Sequence, residues 1–529
     1  MVKIIAVEML NLPNKGDVID WLALHPETKT SDILALPIIE PVQLINDKNQ
    51  IDSIEEIQEK RSQASLLVAY VEENTFLFHD KNNEVYAQDN LTKETRRLDG
   101  RPFKDWLVAN FYKATGKSPR EQSLREAIST LSGIARYDSD CHEVYIRIAY
   151  YEGFYYLDLG EKGQSRAIKI TSDGWKILVD PPVHFLRPEA LHPLPEPIYQ
   201  ESLDALWNIV NIPKESQILV VAWLIECLRP ETPFPVLELI GEQGSAKSTT
   251  QSILRRLIDP NACDLRAAPK TVEDIFVSAG VNYLVSYENI SHLSPQMQDA
   301  LCVLATGGGF AKRKLYSDAE ETVINVKRPI ILNGINAAIT AQDLIDRSIS
   351  IEMPIVTMRN ESTYLWDIFQ KHQGAFLGEL LTIMAKALEQ LPNINLPYEE
   401  RPRLVEFVRF GMAIAVSMGE SEEKFLAQFN ASRGESIART IDASPVASAL
   451  IDWFHASSLK KHALPIKELM KFVEGHKQYN IDTWPKSPKG FADALRRVSP
   501  ALRQMGIECR SLGKIGGSIL WEISQKNNH

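Results

Sequence analysis

The sequence predicts an α/β fold, and three patterns predict it. In the middle of the chain, apolar strands run into polar loops and helices. Before them lie short aromatic strands split by Gly-containing turns, and after them three helical stretches closed by a β-hairpin. The central pattern is the sharpest. Residues 237–250, Leu-Glu-Leu-Ile-Gly-Glu-Gln-Gly-Ser-Ala-Lys-Ser-Thr-Thr, read as an apolar strand, a loop and a helix start. That layout cradles phosphates: backbone N–H groups at the helix N-terminus hold the oxygens, a Lys neutralises charge, and a hydroxyl ligates Mg²⁺. Gly241, Gly244, Ser245, Ala246, Lys247, Ser248 and Thr249 are the candidate cradle, with Ala246 where a second glycine is usual. Lys247 is read as a solvent-facing charge whose main partner is phosphate.

Length and composition bound the rest. A chain of 529 residues with 44% apolar residues accommodates three or four domains. Five Cys without a Cys-x-x-Cys pair indicate neither a disulfide frame nor a zinc site, which fits a reducing, cytoplasmic setting. The longest apolar run, Ile218 to Ile225, is too short to span a bilayer, so no membrane role is expected. A net charge of −11 excludes a uniformly DNA-coating protein, yet residues 441–529 carry thirteen Lys/Arg against eight Asp/Glu. Nucleic-acid contact should therefore be local.

In chain order, Pro102 to Gly133 reads as mostly helical. Glu143 to Tyr151, Phe154 to Leu159 and Arg166 to Ile170 read as successive strands, β-branched and aromatic. A proline-rich stretch from Pro181 to Pro197 separates this region from the nucleotide module. After the phosphate loop, Val281 to Asn289 reads as a second strand whose terminal Glu288 can hold the Mg²⁺ shell with Ser248 and polarise water. A third strand, Pro329 to Asn333, ends in an amide suited to sensing a γ-phosphate. Between them, Thr306 to Tyr316 and Thr322 to Arg328 alternate as the arms of a β-hairpin around a polar tip. The tip's Asp318, Glu320 and Glu321 repel phosphates, so Lys312, Arg313 and Lys314 on the first arm are the DNA candidates; a solvated charge run is the plainer alternative.

The tail reads as a winged helix: helices over Pro445 to Ser457, Pro465 to Glu474 and Pro488 to Leu502, then a hairpin over Ile507 to Ile523. In the third helix Phe491, Leu495 and Val498 form the core face, leaving Lys489, Arg496 and Arg497 outward, with Lys514 on the wing. Such modules bind duplex DNA, and others serve as protein-binding or structural units.

These motifs together resemble AAA+ ATPases whose hairpin inserted before the third strand enters a ring's pore, a group holding superfamily 3 viral helicases and the minichromosome-maintenance helicases. The nearest likeness is to helicase modules of phage and mobile-element primase-helicases. Their Phe-Asp-Asn strand end corresponds to Tyr287-Glu288-Asn289, and their Arg-Pro-hydrophobic-Asn-Gly strand to Arg328 to Gly334. The resemblance makes Arg347, after Asp346, an arginine finger that reaches the next subunit's nucleotide, which requires a ring; a surface Arg paired with Asp346 is the plainer alternative. It makes Arg403, in Arg401-Pro-Arg-Leu-Val-Glu-Phe407, a sensor, with Arg401 and Arg409 as rivals. Two departures bear on rate: Glu288 replaces the family's Asp, and no Glu follows it.

Residues 12–22, Leu-Pro-Asn-Lys-Gly-Asp-Val-Ile-Asp-Trp-Leu, resemble the end of a TOPRIM primase domain without its metal-holding acids. The implied domains are a TOPRIM-tail-like segment (1–50), an N-terminal α+β domain (51–197), an AAA+ P-loop ATPase core (198–395), a helical lid (396–440) and the winged helix (441–529). The implied function is ATP- and Mg²⁺-dependent DNA unwinding by a homo-hexamer, with a single strand in the pore, duplex at the winged helix, and a primase or other replication protein as partner. The alternatives are an ATP-binding initiator or helicase loader that does not unwind, and a nucleotide-regulated defence or effector ATPase.

Overall fold

The structure is a computed structural model describing residues 4–5, 38–39, 62–199, 202–313, 321–357, 361–477, 484–515 and 518–525. The TOPRIM-like segment 12–22 and residues 314–320, the end of the hairpin's first arm and most of its tip, lie outside the described residues. Two compact units are present, one of residues Met1–Phe78 and Leu98–Asp140, the other of His79–Arg97 and Cys141–His529.

In the first unit β1 (Ile4–Ile5) pairs antiparallel with β2 (Ile38–Ile39). Helix α1 (Gln63–Asn74) starts at Ser62, whose hydroxyl accepts the Ser65 N–H, and leads into β3 (Thr75–His79). Helix α2 (Arg101–Thr115) carries Pro102 in its first turn and stops at Gly116, φ +68°; α3 (Glu121–Tyr137) follows. Leu67, Val71, Phe103, Leu107, Phe111, Leu124 and Leu131 are the buried stripes of the three helices.

The second unit begins with the paired strands β4 (Val85–Asp89) and β5 (Thr95–Arg97). The expected strand from Glu143 to Tyr151 is two strands: β6 (Val144–Tyr145) and β7 (Ile148–Tyr151). The chain turns at Arg147, which stands at φ +63° with its side chain fully buried. Its guanidinium donates to Asp259 Oδ1 at 3.1 Å, to the Asp158 carbonyl at 3.0 Å and to the His192 carbonyl at 2.6 Å. These bonds offset the backbone strain and the burial of charge. Strands β7, β8 (Phe154–Asp158), β9 (Arg166–Thr171) and β10 (Gly174–Val179) form an antiparallel sheet, and β6 pairs parallel with β11 (His184–Phe185).

Helices α4 (Asp204–Trp207) and α5 (Gln217–Glu226) precede the central sheet; α5 is buried from Ile218 to Glu226, a core helix apolar all round. The sheet holds four parallel strands in the order β13 (Val285–Tyr287), β16 (Ile330–Gly334), β12 (Val236–Ile240), β17 (Ser348–Glu352). It has one strand more than the sequence reading. The run from Val281 is also shorter as a strand than expected, because α7 (Val272–Val281), capped by a Thr271–Asp274 box, continues through Val281. Leu237 and Leu239 face α5, α6 (Lys247–Ile258) and α10 (Ser362–Gln390); Val236, Ile330 and Leu332 face α7, α8 (Pro295–Thr306) and the C-terminal helices. Strands covered on both faces read as continuous apolar runs, which is why they were visible in the sequence.

Between α8 and β16, β14 (Gly308–Arg313) pairs antiparallel with β15 (Glu321–Val326), from Gly308 opposite Val326 to Arg313 opposite Glu321. A short α9 (Gln342–Ile345) precedes β17, and α11 (Val405–Ser417) and α12 (Glu422–Asp442) follow α10. The tail has α13 (Pro445–Ala456), β18 (Lys461–Pro465), α14 (Ile466–Glu474), α15 (Pro488–Gln504), β19 (Ile507–Ile515) and β20 (Ser518–Gln525). Its second helix starts at Ile466, one residue later than expected, since Pro465 ends β18 opposite Leu520. The tail thus holds the three helices and the hairpin read from the sequence, with β18 added to make a three-stranded β18-β20-β19 sheet. Among the described residues no helix is long and apolar enough to cross a membrane.

Candidate functional site

Strand β12 delivers the loop 241–246 to the C-terminal edge of the parallel sheet, where α6 begins. Gly241 is packed so closely that a Cβ there would meet the Met353 carbonyl at 2.7 Å and Ser245 Oγ at 2.8 Å. Gly244 stands at φ +91° and Ala246 at φ +56°, so the methyl group occupies a left-handed position where glycine carries no penalty. No side chain caps the start of α6, which leaves the N–H groups of its first turn to face the loop. Ala246→Gly is expected to raise stability by about 0.5–1 kcal/mol through relief of this backbone strain. An unchanged or lowered melting midpoint in thermal unfolding would show that the methyl group is well accommodated.

Lys247 is not the solvent-facing charge the sequence suggested. It is 8% exposed, and its Nζ donates to the carbonyls of Gly241 at 2.7 Å and Glu242 at 2.8 Å and to Ser245 Oγ at 3.1 Å. The ammonium folds back on its own loop because the loop's carbonyls are the nearest acceptors. Burial lowers its pKa from the ordinary lysine value. Ser248, one residue on, donates to Glu288 Oε2 at 3.3 Å, so the hydroxyl and carboxylate expected to ligate Mg²⁺ are neighbours.

Glu288 follows β13, and Asn289 beside it stands at φ +53° with its N–H on Asn333 Oδ1 at 2.9 Å. Asn333 is 1% exposed, and its amide also donates to Gln251 Oε1 at 2.6 Å. Gln251 in turn donates to Ser286 Oγ at 2.8 Å and the Tyr287 carbonyl at 3.0 Å. This buried chain ties α6, one turn after Lys247, to the ends of β13 and β16. Gln251 was missed in the sequence, where it reads as an ordinary helix residue. So was Asn211, whose side chain donates to the Ser245 carbonyl at 3.0 Å and the Pro354 carbonyl at 2.6 Å, pinning the 241–246 loop to the end of β17. Glu238 of β12 is fully buried and accepts from Ala338 N at 2.7 Å, Ile339 N at 3.0 Å and Ser350 Oγ at 2.7 Å, fixing the loop after β16; burial pushes its pKa up. A cleft of about 510 Å³ opens beside the 241–246 loop, lined by Gly241, Glu242, Ile335, Asn336, Glu352 and Arg439 among others.

Arg347 and Arg403 lie elsewhere. Arg347 precedes β17, and its carbonyl accepts the Val236 N–H at 2.9 Å, at the start of β12. The parallel register then places it a strand's length from the 241–246 loop, about 13 Å at 3.3 Å per residue. Its guanidinium pairs with Asp343 rather than Asp346, one helical turn back on α9; Asp346 pairs with Arg433 at 2.7 Å. Arg403 joins the same Asp343 at 2.6 Å. Asp343 therefore holds two arginines, and the Arg347 hydrogen bond keeps its carboxyl below the usual range. The rivals are tied into local carbonyls: Arg401 to Leu396 at 3.2 Å, Arg409 to Ile394 at 3.2 Å.

Of the DNA candidates, Lys312 and Arg313 are the last residues of β14, opposite Thr322 and Glu321; Lys314 lies outside the described residues. The return arm is anchored by Arg328, whose Nε donates to the carbonyls of Ala279 and Asn282, both at 3.0 Å. Lys489, Arg496, Arg497 and Lys514 are exposed, with Arg496 paired to Asp493 at 2.7 Å, while Phe491, Leu495 and Val498 are buried. Helix α15 also lies against α9 and α12, so the tail packs on the element that carries Asp343 and leads to Arg347.

Two family models match in chain order. Residues 203–410 match the actinomycete integrative conjugative element replication protein, and residues 446–528 match the C-terminal domain of that replication protein. The chain is a replication protein of a mobile element, of the kind carried by integrative conjugative elements. No curated protein matches the chain. Among solved structures, apo forms of the NrS-1 C-terminal region are similar at TM-scores of 0.37, 0.38 and 0.39 and 12–13% identity, covering 87–88% of this chain and 98–100% of theirs. Likeness at that level carries no functional weight.

Proposed function

We propose that the chain is an ATP-driven DNA translocase or helicase that acts in replication of its mobile element as a ring of identical subunits, within the AAA+ group it resembles. The observation that supports this most directly is the convergence at one sheet edge: the Lys247 loop after β12, Glu288 after β13 and Asn333 at the end of β16, with Ser248 3.3 Å from Glu288. The residues fit the groups they would hold. Gly241 is too close-packed for a side chain and Lys247 is already desolvated beside the loop, as a phosphate cradle requires. Ser248 and Glu288 present the oxygens a hard divalent cation prefers. When bound, Mg²⁺-ATP supplies the transferable phosphoryl group and its charge neutralisation. Lys247 would turn from the loop carbonyls to the phosphates, Glu288 would orient water, and Asn333 would hold Asn289 and Glu288 in place through its bond to the Asn289 N–H.

Arg347 sits too far from this cradle to act on the nucleotide of its own subunit, which supports the trans role; Arg403, on the same carboxylate, belongs to that edge as well. ATP turnover measured with and without single-stranded DNA tests the reading. Stimulation of several-fold is expected, and a turnover indifferent to DNA counts against a motor.

A slow, non-unwinding initiator or loader is the second reading, and one observation favours it. Asn289 stands where a second acid would serve as base, and its N–H is committed to Asn333. Strand displacement separates the two.

At the winged helix, Arg496→Glu with Arg497→Glu is expected to weaken duplex binding and to flatten its log–log salt dependence by about 0.9 for each phosphate no longer neutralised. Turnover without DNA should barely change. A salt slope equal to the parent's would remove these two residues from the DNA interface.

A further inference from the structure

The antiparallel sheet β10-β9-β8-β7 has no part in the nucleotide site, yet its outer face is unusual. Register sets Ala149, Tyr156, Lys169 and Lys176 in one row across the sheet, with Tyr151 opposite Phe154 in the row beside it. The other face carries Ile148, Leu157, Ile168 and Ile170, all buried in the main core. At one end of the outer face Ala149 and Tyr156 are covered, packed with Val183 and Phe185. At the other end the face meets water, where an antiparallel sheet ordinarily turns polar. Here it presents two aromatic rings, Tyr151 38% and Phe154 36% exposed. Lys169 Nζ lies 3.4 Å from the centre of the Phe154 ring, and Lys176, its cross-strand partner, is exposed.

We propose that this face is a second binding surface for single-stranded DNA, distinct from the hairpin and the winged helix, with unpaired bases on Tyr151 and Phe154 and the phosphate backbone along Lys169 and Lys176. Stacking on aromatic rings accepts any base, because every base has a π-face, and it rejects duplex, whose base faces are already stacked on one another. The lysines supply the complementary charge. Lys169 now occupies the face of the Phe154 ring as a cation–π partner, the position a base would take. A phosphate beside the ring offers that ammonium a stronger partner and frees the face. Glu152, bonded to Tyr151 in the β7–β8 turn, and Asp173, in the β9–β10 turn, rim the surface and confine the strand's path to the lysine row. The proposal rests on the sheet's chemistry and on the replication role; it does not depend on ATP turnover.

The test uses the full chain, without nucleotide, and an oligothymidylate of about twenty residues carrying 4-thiothymidine. Photocrosslinks mapped by mass spectrometry are expected on Tyr151 or Phe154, and Tyr151→Ser with Phe154→Ser should weaken binding in fluorescence anisotropy about tenfold or more, with duplex affinity unchanged. Lys169→Gln with Lys176→Gln should weaken it several-fold and flatten its salt dependence. That pair also carries the test if the aromatic variant fails to fold, because neither lysine serves the core. Crosslinks confined to other elements, together with parent-like affinity of the folded variants, would overturn the surface. So would variants that bind DNA normally but lose a co-purifying protein, since the face would then serve a protein partner. A chain that hydrolyses no ATP yet crosslinks through Tyr151 leaves this inference standing and removes the motor reading alone.

Discussion

Lys247→Ala is expected to abolish ATP turnover, by a factor of roughly 10²–10³ or more, because it removes the cation that, in the proposed site, would turn from the loop carbonyls to the phosphates. The structure adds a complication. Lys247 is also a structural donor, holding Gly241 O at 2.7 Å and Glu242 O at 2.8 Å, and truncation leaves those carbonyls without it. A modest loss of stability, on the order of 1 kcal/mol, should therefore accompany the loss of turnover. Lys247→Met separates the two effects, since it keeps the aliphatic stem packed while deleting the charge. Both variants should lose nucleotide binding in a fluorescent-nucleotide titration, and Met should lose less in melting temperature than Ala. Turnover near the parental rate in a folded Lys247→Met protein would remove the phosphate-cradle assignment.

How much of this was legible in the sequence follows from what each element is buried against. Strands β12 and β16 are covered on both faces, so their apolar runs were visible and nearly correctly bounded, as were the hairpin arms and the tail helices with their outward Lys489, Arg496 and Arg497. Strand β17 was missed because Ser348 and Ser350 interrupt its apolar pattern; Ser350 is there to bond Glu238, a partner 112 residues away. The single strand expected through Arg147 failed for a similar reason: an arginine in a strand-like run reads as an outward residue, whereas this one is buried on Asp259, 112 residues on. Val281 was read as strand because β-branched residues at a helix end resemble the strand that follows. The site divides the same way. The loop, Glu288 and Asn333 were singled out from the sequence and do lie together, but the partners that shape them, Gln251 and Asn211, are ordinary polar residues whose roles exist only once β13, β16 and β17 lie side by side. The pairing of Arg347 with Asp343 was open to sequence as an i, i+4 pair; the adjacent Asp346 drew attention instead.

Arg347→Ala is expected to keep nucleotide binding and lose hydrolysis, and its loss should be repaired by subunits that carry the opposite defect. In one chain Arg347 stands at the start of β17 and Lys247 beyond the end of β12, so a single subunit never brings them together. The proposed ring would do so, because head-to-tail contacts would set one subunit's sheet edge against the next subunit's cradle. In an equimolar mixture of Arg347→Ala and Lys247→Met chains that exchange freely, about one interface in four joins an intact cradle to an intact arginine. Turnover should then rise from near zero in each variant alone to as much as a quarter of the parent's. Asp343 sharpens the experiment. It now holds both Arg347 and Arg403, so Asp343→Asn should release them, leaving the arginine edge intact but loosely oriented, and the same mixture made in that background should recover less activity. Mixtures that stay inactive while subunit exchange is demonstrated by labelled chains would show that Arg347 does not complete a neighbouring site, and its pair with Asp343 would then be an ordinary link between α9 and the strand that follows.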